Sequence, residues 1–211
     1  MTLLVAAMED EVKDILPLLM KVEEKPFLTF EGRLGKKDVV LIITGIGKSN
    51  AAAAVSFAIT KYQPLIDLII NIGIAGGYQV LTYTPYVVSA ATYSDFDLRV
   101  FKYELGQVPK MPTWFKLDQS LESKLSKYHK AELYSADHFG TSPIKEAPHL
   151  VDMEGAAVFQ VAHIFEIPLI SIKVVSDLIG DKNQLETYKE SEVSLSDVIK
   201  DTLFDLMEVL S

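Results

Sequence analysis

The stretch LIDLIINIGIAGG, residues 65–77, decides the fold of this chain. Residues 65–72 form a nearly continuous apolar run, which is typical of a strand covered on both faces of a sheet. Asp67 and Asn71 interrupt the run, and it is too short to cross a lipid bilayer. The stretch therefore predicts a buried strand that ends at the glycine-rich segment 73–77.

Further strands and helices alternate on both sides of this stretch. Strands are predicted at residues 3–7, 27–34, 39–44, 86–91, 133–136 and 169–175. Helices are predicted at residues 9–20, 51–62, 120–129, 155–165 and 195–210. This alternation indicates one α/β domain over residues 1–211, with three layers and a mixed, mostly parallel central sheet flanked by helices.

The composition limits what the protein binds. A formal net charge of −9 argues against nucleic acid and against an anionic membrane face as partners. The chain has no cysteine, which removes disulfides and thiolate chemistry and fits a reducing compartment. The apolar N-terminus lacks a basic flank and predicts a first strand rather than a signal peptide. We therefore expect a soluble, cytoplasmic protein.

The common cofactor, metal and nucleophile motifs are missing from the sequence. The segment GIG at 45–47 lacks the third glycine of a dinucleotide fingerprint, and no P-loop ending occurs. The four histidines show no paired ligand spacing, and no serine lies in a nucleophile elbow. The sequence thus predicts neither a metal site nor a cofactor.

Acidic residues follow three apolar segments. Glu9, Asp10 and Glu11 follow the first strand, Glu154 follows Leu150 and Val151, and Asp177 follows residues 170–175. Ligands of parallel α/β sheets bind outside the carboxyl ends of strands. Each acid has a simpler explanation as a helix cap or turn residue, which we favour for Glu9 and Asp10, so a single acid is weak support for a site.

Taken together, segments along nearly the whole chain resemble, in the same order, motifs of the 5′-methylthioadenosine/S-adenosylhomocysteine nucleosidases. The segments are AMEDEV (7–12), GIGK (45–48), NIGIAGG (71–77), FKYELGQVP (101–109), VDME (151–154) and VSD (175–177). The family counterparts read AMEEEV, GIGK, NTGSAGG, FGYEYGQ-P, VEMEA and SD. One motif alone would be weak, but the shared order makes the resemblance specific.

The resemblance implies a nucleoside-phosphorylase-like fold and a homodimer. It also implies hydrolysis of the N-ribosidic bond of methylthioadenosine, S-adenosylhomocysteine and 5′-deoxyadenosine without metal or cofactor. Asp177 matches the general acid at purine N7, and Glu11 matches the base that activates water. Glu154 matches the carboxylate that binds both ribose hydroxyls and stabilises developing positive charge.

The resemblance also assigns the other substrate contacts. Phe139 stacks on adenine, Met153 lies against the ribose, and Phe101 and Pro109 reach over from the partner subunit. Met8, Ile46 and Tyr188 line the pocket for the 5′ substituent. The remaining substrate contacts are Gly140, Ile74, Ala75, Gly76, Val151, Lys173 and Ser176. Apart from the resemblance, apolar residues of this kind are usually core residues. An exposed apolar patch is also predicted at Phe101, Val108, Met111, Pro112 and Trp114, and such patches often mark interfaces.

The sequence departs from the family pattern around the base and ribose. Ile74 replaces a serine, Lys173 an arginine, Ser94 a histidine and Gly140 an aliphatic residue, and the segment after Gly140 is short. Lysine keeps the charge of arginine but not its planar fork. These changes affect substrate identity more than reaction type, so 6-amino-6-deoxyfutalosine, an adenine nucleoside of menaquinone synthesis, is an alternative substrate.

Two further alternatives concern the reaction itself. A nucleoside phosphorylase would use phosphate instead of water, but Arg33 and Arg99 match no phosphate-binding motif. A non-catalytic nucleoside-binding dimer could keep the same fold, because fold alone does not establish activity. Such a module would not need Glu11 and Asp177 together, so hydrolysis is the preferred interpretation.

Overall fold

A ten-stranded mixed sheet runs through the middle of the molecule. The computed structural model describes residues 1–210, apart from the side chains of residues 192 and 193. The strands are β1 (Thr2–Ala6), β2 (Met20–Glu23), β3 (Leu28–Leu34), β4 (Lys37–Ile43), β5 (Leu68–Tyr78), β6 (Pro85–Tyr93), β7 (Phe115–Lys116), β8 (His129–Ser135), β9 (His149–Asp152) and β10 (Leu169–Leu178). The helices are α1 (Lys48–Tyr62), α2 (Gln119–Glu122), α3 (Gly155–Phe165), α4 (Gln184–Ser194) and α5 (Ser196–Val209).

The centre of the sheet is parallel. Strands β4, β1, β5 and β10 lie side by side in one direction. β10 also pairs with β6, and β8 and β9 lead back to β5, so this half of the sheet closes on itself. β3 and β2 extend the other edge as antiparallel strands. The carboxyl ends of β1, β4, β5 and β10 therefore meet at one edge, where α/β folds bind ligands.

Helices cover both faces of this sheet. On one face, α1 and α3 pack through small residues such as Ala51, Ala54 and Ala58, which allow a close approach to the strands. On the other face, α5 buries Ile199 and Leu203. The predicted three-layer α/β fold is confirmed. Within residues 1–210, no helix combines the length and apolar character needed to cross a membrane.

Two of the predicted helices are wrong over much of their length. Residues 9–20 form two short 3₁₀ turns, Asp10–Val12 and Leu16–Leu18, and Met20 already belongs to β2. Pro17 lacks the N–H that a continuous helix needs there. The segment 120–129 is helical only in α2, because His129 pairs with Tyr86 at the start of β8. Helix α4 was not predicted.

Strand β5 is longer than predicted and reaches Tyr78. Its glycine-rich segment stays in the sheet because Gly73 pairs with Lys173, and Gly76 pairs with Val151. The segment is therefore sheet backbone with little side-chain bulk at the edge where the strands converge.

Candidate active site

A cavity that opens to solvent lies at the carboxyl ends of the central strands, with about 570 Å³ of empty space, open solvent included. The residues that line it and were predicted as site residues are Met8, Glu11, Ile46, Ile74, Ala75, Gly76, Phe139, Gly140, Val151, Met153, Glu154, Ser176, Asp177 and Tyr188. Three predicted residues, Lys173, Phe101 and Pro109, do not line it. Four others line it without having been predicted: Ala7, His138, Asp152 and Gln184.

Glu11 is buried in the 3₁₀ turn that follows β1. Its Oε2 accepts hydrogen bonds of 3.0 Å from the backbone N–H groups of Ala7 and Met8, and Oε1 accepts one of 2.9 Å from Ile74. Burial raises the pKa of Glu11, although Lys173 and these N–H groups act in the opposite direction. Glu11 is thus a fixed carboxylate with the enhanced basicity that a general base requires.

Gly73 leaves the space that the Glu11 carboxylate occupies. A Cβ at this position would lie 2.4 Å from Glu11 Oε1, far inside van der Waals contact. The glycine in β5 and the acid after β1 therefore fit each other directly.

A bulge in β10 places Asp177 in the cavity wall. Val175 pairs with Ala75 and Asp177 pairs with Gly76, so Ser176 is the extra residue. Asp177 is almost fully buried, and burial raises its pKa, against the opposing effect of hydrogen bonds from Ser176 and Gln184. A carboxyl group that holds its proton to higher pH is suited to act as a general acid.

Glu154 is directed into the cavity rather than onto the helix that it precedes. Its side chain does not cap α3. Instead, Oε1 accepts a 2.7 Å hydrogen bond from the N–H of Gly47, which adopts a φ of 102° at the start of α1. Asp152 takes the capping role, since its Oδ2 accepts from the N–H of Gly155 at 2.9 Å. The capping explanation considered for Glu154 is therefore wrong.

Lys173 balances part of the negative charge behind the cavity. Its Nζ lies 3.0 Å from Asp152 Oδ2, and both side chains are buried. Burial acts to lower the pKa of Lys173, but the carboxylates of Asp152, Glu11 and Glu154 raise it overall. Burial, followed by the charge of Asp152, raises the pKa of Glu154 to about 7. One buried cation thus lies among three carboxyl groups. This environment favours additional positive charge on a molecule bound in the cavity.

The open side of the cavity is aromatic and apolar. Phe139 and Tyr188 meet edge to face with ring centroids 5.2 Å apart, and Ile46 and Phe139 remain partly exposed to solvent. Gly140 follows Phe139 where the backbone passes close to β9, and a Cβ there would lie 3.1 Å from Val151 Cγ2. The flat Phe139 ring offers a surface for a purine base.

A salt-bridge cluster at the rim ties three loops together. Lys48 Nζ lies 2.5 Å from Asp95 Oδ1, and the backbone N–H of Lys48 donates to Asp137 Oδ1 at 2.9 Å. Asp95 Oδ2 accepts from the N–H of Asp137 at 2.9 Å. These contacts fix Gly47, which holds Glu154, relative to the loop that carries Phe139. Ser94 lies outside the cavity lining.

The comparisons with known proteins agree with this geometry. The family model of the phosphorylase superfamily matches residues 2–203. A 5′-methylthioadenosine/S-adenosylhomocysteine nucleosidase of Bacillus thuringiensis is 34% identical over 90% of this chain and 87% of its own length. A Bacillus cereus nucleosidase of the same description is 35% identical with the same coverage.

The chain belongs to the 5′-methylthioadenosine/S-adenosylhomocysteine nucleosidases. Solved structures of such nucleosidases share its fold. A Borrelia burgdorferi structure assigned to the family and bound to adenine has a TM-score of 0.90 and 32% identity, covering 99% of this chain and 100% of its own. A Neisseria meningitidis nucleosidase in complex with methylthio-immucillin-A has a TM-score of 0.88 and 26% identity, covering 98% and 97%.

The unpredicted residues of this nucleosidase site differ in how far the sequence could have revealed them. Asp152 stands inside the VDME motif, and Ala7 and His138 are neighbours of predicted residues, so motif proximity was an available signal. Gln184 was not signalled, because it lies in a polar segment without a motif and reaches Asp177 only through the fold of α4 onto β10.

Proposed function

We propose that this nucleosidase hydrolyses the N-ribosidic bond of adenine nucleosides that carry a modified 5′ position, with Asp177 as general acid and Glu11 as general base. The observation that carries the assignment is the meeting of three buried carboxyl groups, Glu11, Glu154 and Asp177, in one cavity with an aromatic wall. The Borrelia burgdorferi structure with adenine and the Neisseria meningitidis complex with methylthio-immucillin-A support this ligand class.

The leaving group determines the role of Asp177. Adenine is a poor leaving group as an anion, so protonation at N7 lets the electron pair of the breaking C1′–N9 bond move into a neutral base. Asp177 gives up its proton in this step and becomes a carboxylate. Its burial keeps that proton available at higher pH than in an exposed aspartate.

The ribosyl centre determines the roles of the other two acids. Cleavage of C1′–N9 leaves positive charge on an oxocarbenium-like ring, as in glycoside hydrolysis. Glu154 accepts hydrogen bonds from the ribose hydroxyls and, when ionised, stabilises this charge. Glu11 accepts a proton from the water whose oxygen attacks C1′. The products are adenine and the 5′-modified ribose.

The remaining contacts are assigned by position in the cavity. Phe139 stacks on the base and Met153 lies against the ribose. Met8, Ile46 and Tyr188 form the apolar side that accepts the 5′ substituent, such as the methylthio group of methylthioadenosine. Lys173 acts from behind the wall, through its ion pair with Asp152.

Conservative variants of the two acids test this assignment. Glu11→Gln and Asp177→Asn should each lose at least about a hundredfold in kcat for adenine release, because each removes one proton transfer. Both should still bind adenine in a calorimetric titration. The exposed Glu186→Gln is a matched control that should keep full activity. Normal turnover by both acid variants would refute the catalytic roles and favour a non-catalytic binding protein.

Phosphorolysis is less well supported than hydrolysis by the charges of the site. Of the described residues that line the cavity, none is lysine or arginine. The Gly47 N–H at the start of α1, where anions commonly bind, already holds Glu154. Lys173 is paired with Asp152, and Arg99 with Asp97 on the surface. Water is therefore the proposed nucleophile.

The preferred 5′ group separates the main proposal from its alternative. The apolar contacts of Met8, Ile46 and Tyr188 favour a thioether or alkyl substituent. A Helicobacter pylori futalosine hydrolase mutant shares the fold at 18% identity with a TM-score of 0.88. Comparing kcat/KM for methylthioadenosine and 6-amino-6-deoxyfutalosine decides between the two substrates, and we expect methylthioadenosine to be preferred.

A homodimer is part of the same proposal. Val100, Phe101 and Leu105 expose large apolar side chains outside the cavity, whereas Val108 and Met111 pack partly against the core. The exposed group, which shares Phe101 with the patch predicted from the sequence, is the better candidate for the interface. Sedimentation equilibrium should show a dimer that Phe101→Asp weakens, and a wild-type monomer at assay concentration would contradict it. The cytoplasmic location stays a prediction, which cell fractionation can check.

A further inference from the structure

Gln184 connects the proposed general acid to the backbone beside the aromatic wall. It is buried at the first position of α4, and its Nε2 lies 2.8 Å from Asp177 Oδ2 and 2.8 Å from the carbonyl oxygen of Gly140. Its Oε1 accepts a 3.2 Å hydrogen bond from the N–H of Gly180. These partners fix the orientation of the amide, because a flipped amide would place Oε1 against two acceptors.

The two oxygens of Asp177 therefore have different neighbours. An amide nitrogen only donates, so Gln184 keeps Oδ2 as an acceptor. Oδ1 lies 2.5 Å from the Ser176 hydroxyl, which can donate or accept. That hydroxyl also lies 3.2 Å from the carbonyl oxygen of Ala75, a second acceptor.

This arrangement satisfies the hydrogen bonds of Asp177 in both protonation states. In the carboxylate, Ser176 donates to Oδ1 and Gln184 donates to Oδ2. In the neutral acid, Oδ1–H donates to the Ser176 oxygen, and the Ser176 hydroxyl turns to donate to Ala75. Gln184 donates to Oδ2 in both states, and more strongly to the carboxylate, so it distinguishes one oxygen from the other.

We propose that Gln184 is a positioning residue for the acid: its amide links Asp177 Oδ2 to the carbonyl oxygen of Gly140 and leaves Oδ1 as the oxygen that carries the proton. This inference rests on the proposed role of Asp177. In the reaction, the Oδ1–H group turns from Ser176 toward purine N7, the O–H bond breaks as an N–H bond forms at N7, and the C1′–N9 electron pair moves into the base. The Ser176 hydroxyl then turns back from Ala75 to Oδ1.

The pH dependence of kcat/KM tests this role. Gln184→Met keeps the length of the side chain but removes the donor that stabilises the Asp177 carboxylate, so the pKa of Asp177 should rise. We expect the basic limb of the profile to move upward by about one pH unit, and the plateau to fall about tenfold or more because the carboxyl loses its anchor. The other titratable groups that line the cavity are Glu11, Asp152, Glu154, His138 and Tyr188.

Gln184→Glu is the second variant, because it has the same shape. It places a carboxyl group against Asp177 Oδ2, and two facing carboxyls share a proton, so the basic limb should move further than in Gln184→Met. Glu186→Gln, two residues further along α4 and exposed, should leave the profile unchanged. Melting temperatures and adenine binding show that each variant is folded.

The outcomes separate this inference from the proposed function. A large loss in Asp177→Asn together with unshifted basic limbs in both Gln184 variants would overturn the positioning role alone. Wild-type turnover by Asp177→Asn would remove the general acid and the positioning role with it. Upward shifts in both Gln184 variants, larger for Gln184→Glu, are the result that supports the inference.

Discussion

Gly73→Ala perturbs the proposed general base without replacing the Glu11 side chain. The new Cβ would lie 2.4 Å from Glu11 Oε1 and 3.1 Å from its Cδ. Ordinary contact begins at 3.4 Å, so the carboxylate has to retreat by about 1 Å. The change is therefore a displacement of the base rather than a removal of it.

The size of the effect follows from the hydrogen bonds of Glu11. The bond from Ile74 N–H to Oε1 is 2.9 Å long, and a retreat of about 1 Å exceeds hydrogen-bond range. A displacement of about 1 Å at a reacting group can cost about a hundredfold in rate. Overpacking should also lower the free energy of unfolding by about 1–3 kcal/mol. We expect kcat to fall about a hundredfold in a protein that still folds.

Adenine release under saturating methylthioadenosine measures kcat, and urea unfolding measures stability. Gly32→Ala is a matched control: Gly32 is a strand glycine outside the cavity lining, and its Cβ would lie 2.7 Å from the flexible end of Leu19. It should alter stability but leave kcat unchanged. In a Glu11→Gln background, Gly73→Ala should cause little further loss, because both changes affect the same step.

The proposed role of Glu11 fails if Gly73→Ala keeps kcat within about threefold of the wild type while folding normally. It also fails if the losses of Gly73→Ala and Glu11→Gln multiply in the double variant. Either result would mean that Glu11 does not act from the position seen beside Gly73.

Four further predictions concern the charge of Lys173, the pH dependence of stability and of kcat/KM, and the contact with the base. Lys173→Met leaves Asp152 without its buried partner and should lower the free energy of unfolding by about 3–5 kcal/mol in urea titrations. Because the folded-state pKa of Glu154 is about 7, above its ordinary 4.5, stability present below about pH 4.5 should decline as the pH rises through about 7, and thermal melts of Glu154→Gln should show a flatter pH dependence. The same pKa predicts that kcat/KM falls below about pH 7 as Glu154 is protonated. Phe139→Leu removes the aromatic face and should raise KM about tenfold with a smaller change in kcat, as steady-state assays can show.

The sequence predicted the layers of the fold better than its local details. Apolar runs and small-residue helices report burial on both faces of a sheet, so β1, β5, β10 and α3 were found. The helix predicted at 9–20 failed because Pro17 lacks the N–H that a continuous helix needs, and the periodicity of the apolar residues does not encode this. The closure of the sheet through β6 and β10 depends on long-range pairing and was equally hidden.

The site shows the same division between motif and geometry. The position of acids after strands, together with the family motifs, predicted Glu11, Glu154 and Asp177 as site residues. The structure brings all three to one cavity. Sequence spacing did not reveal that Asp152 rather than Glu154 caps α3. It also gave no sign of Gln184, whose contact with Asp177 exists only because the bulge at Ser176 and the start of α4 meet in space.

The most direct test of the account is adenine release from methylthioadenosine by the purified protein in phosphate-free buffer, repeated with phosphate added. Hydrolysis by Glu11 and Asp177 predicts adenine release at the same rate in both buffers, with free 5-methylthioribose as the second product. Release that requires phosphate and yields a ribose 1-phosphate would contradict the role of Glu11 in activating water. Absence of adenine in both buffers would contradict the proposed activity.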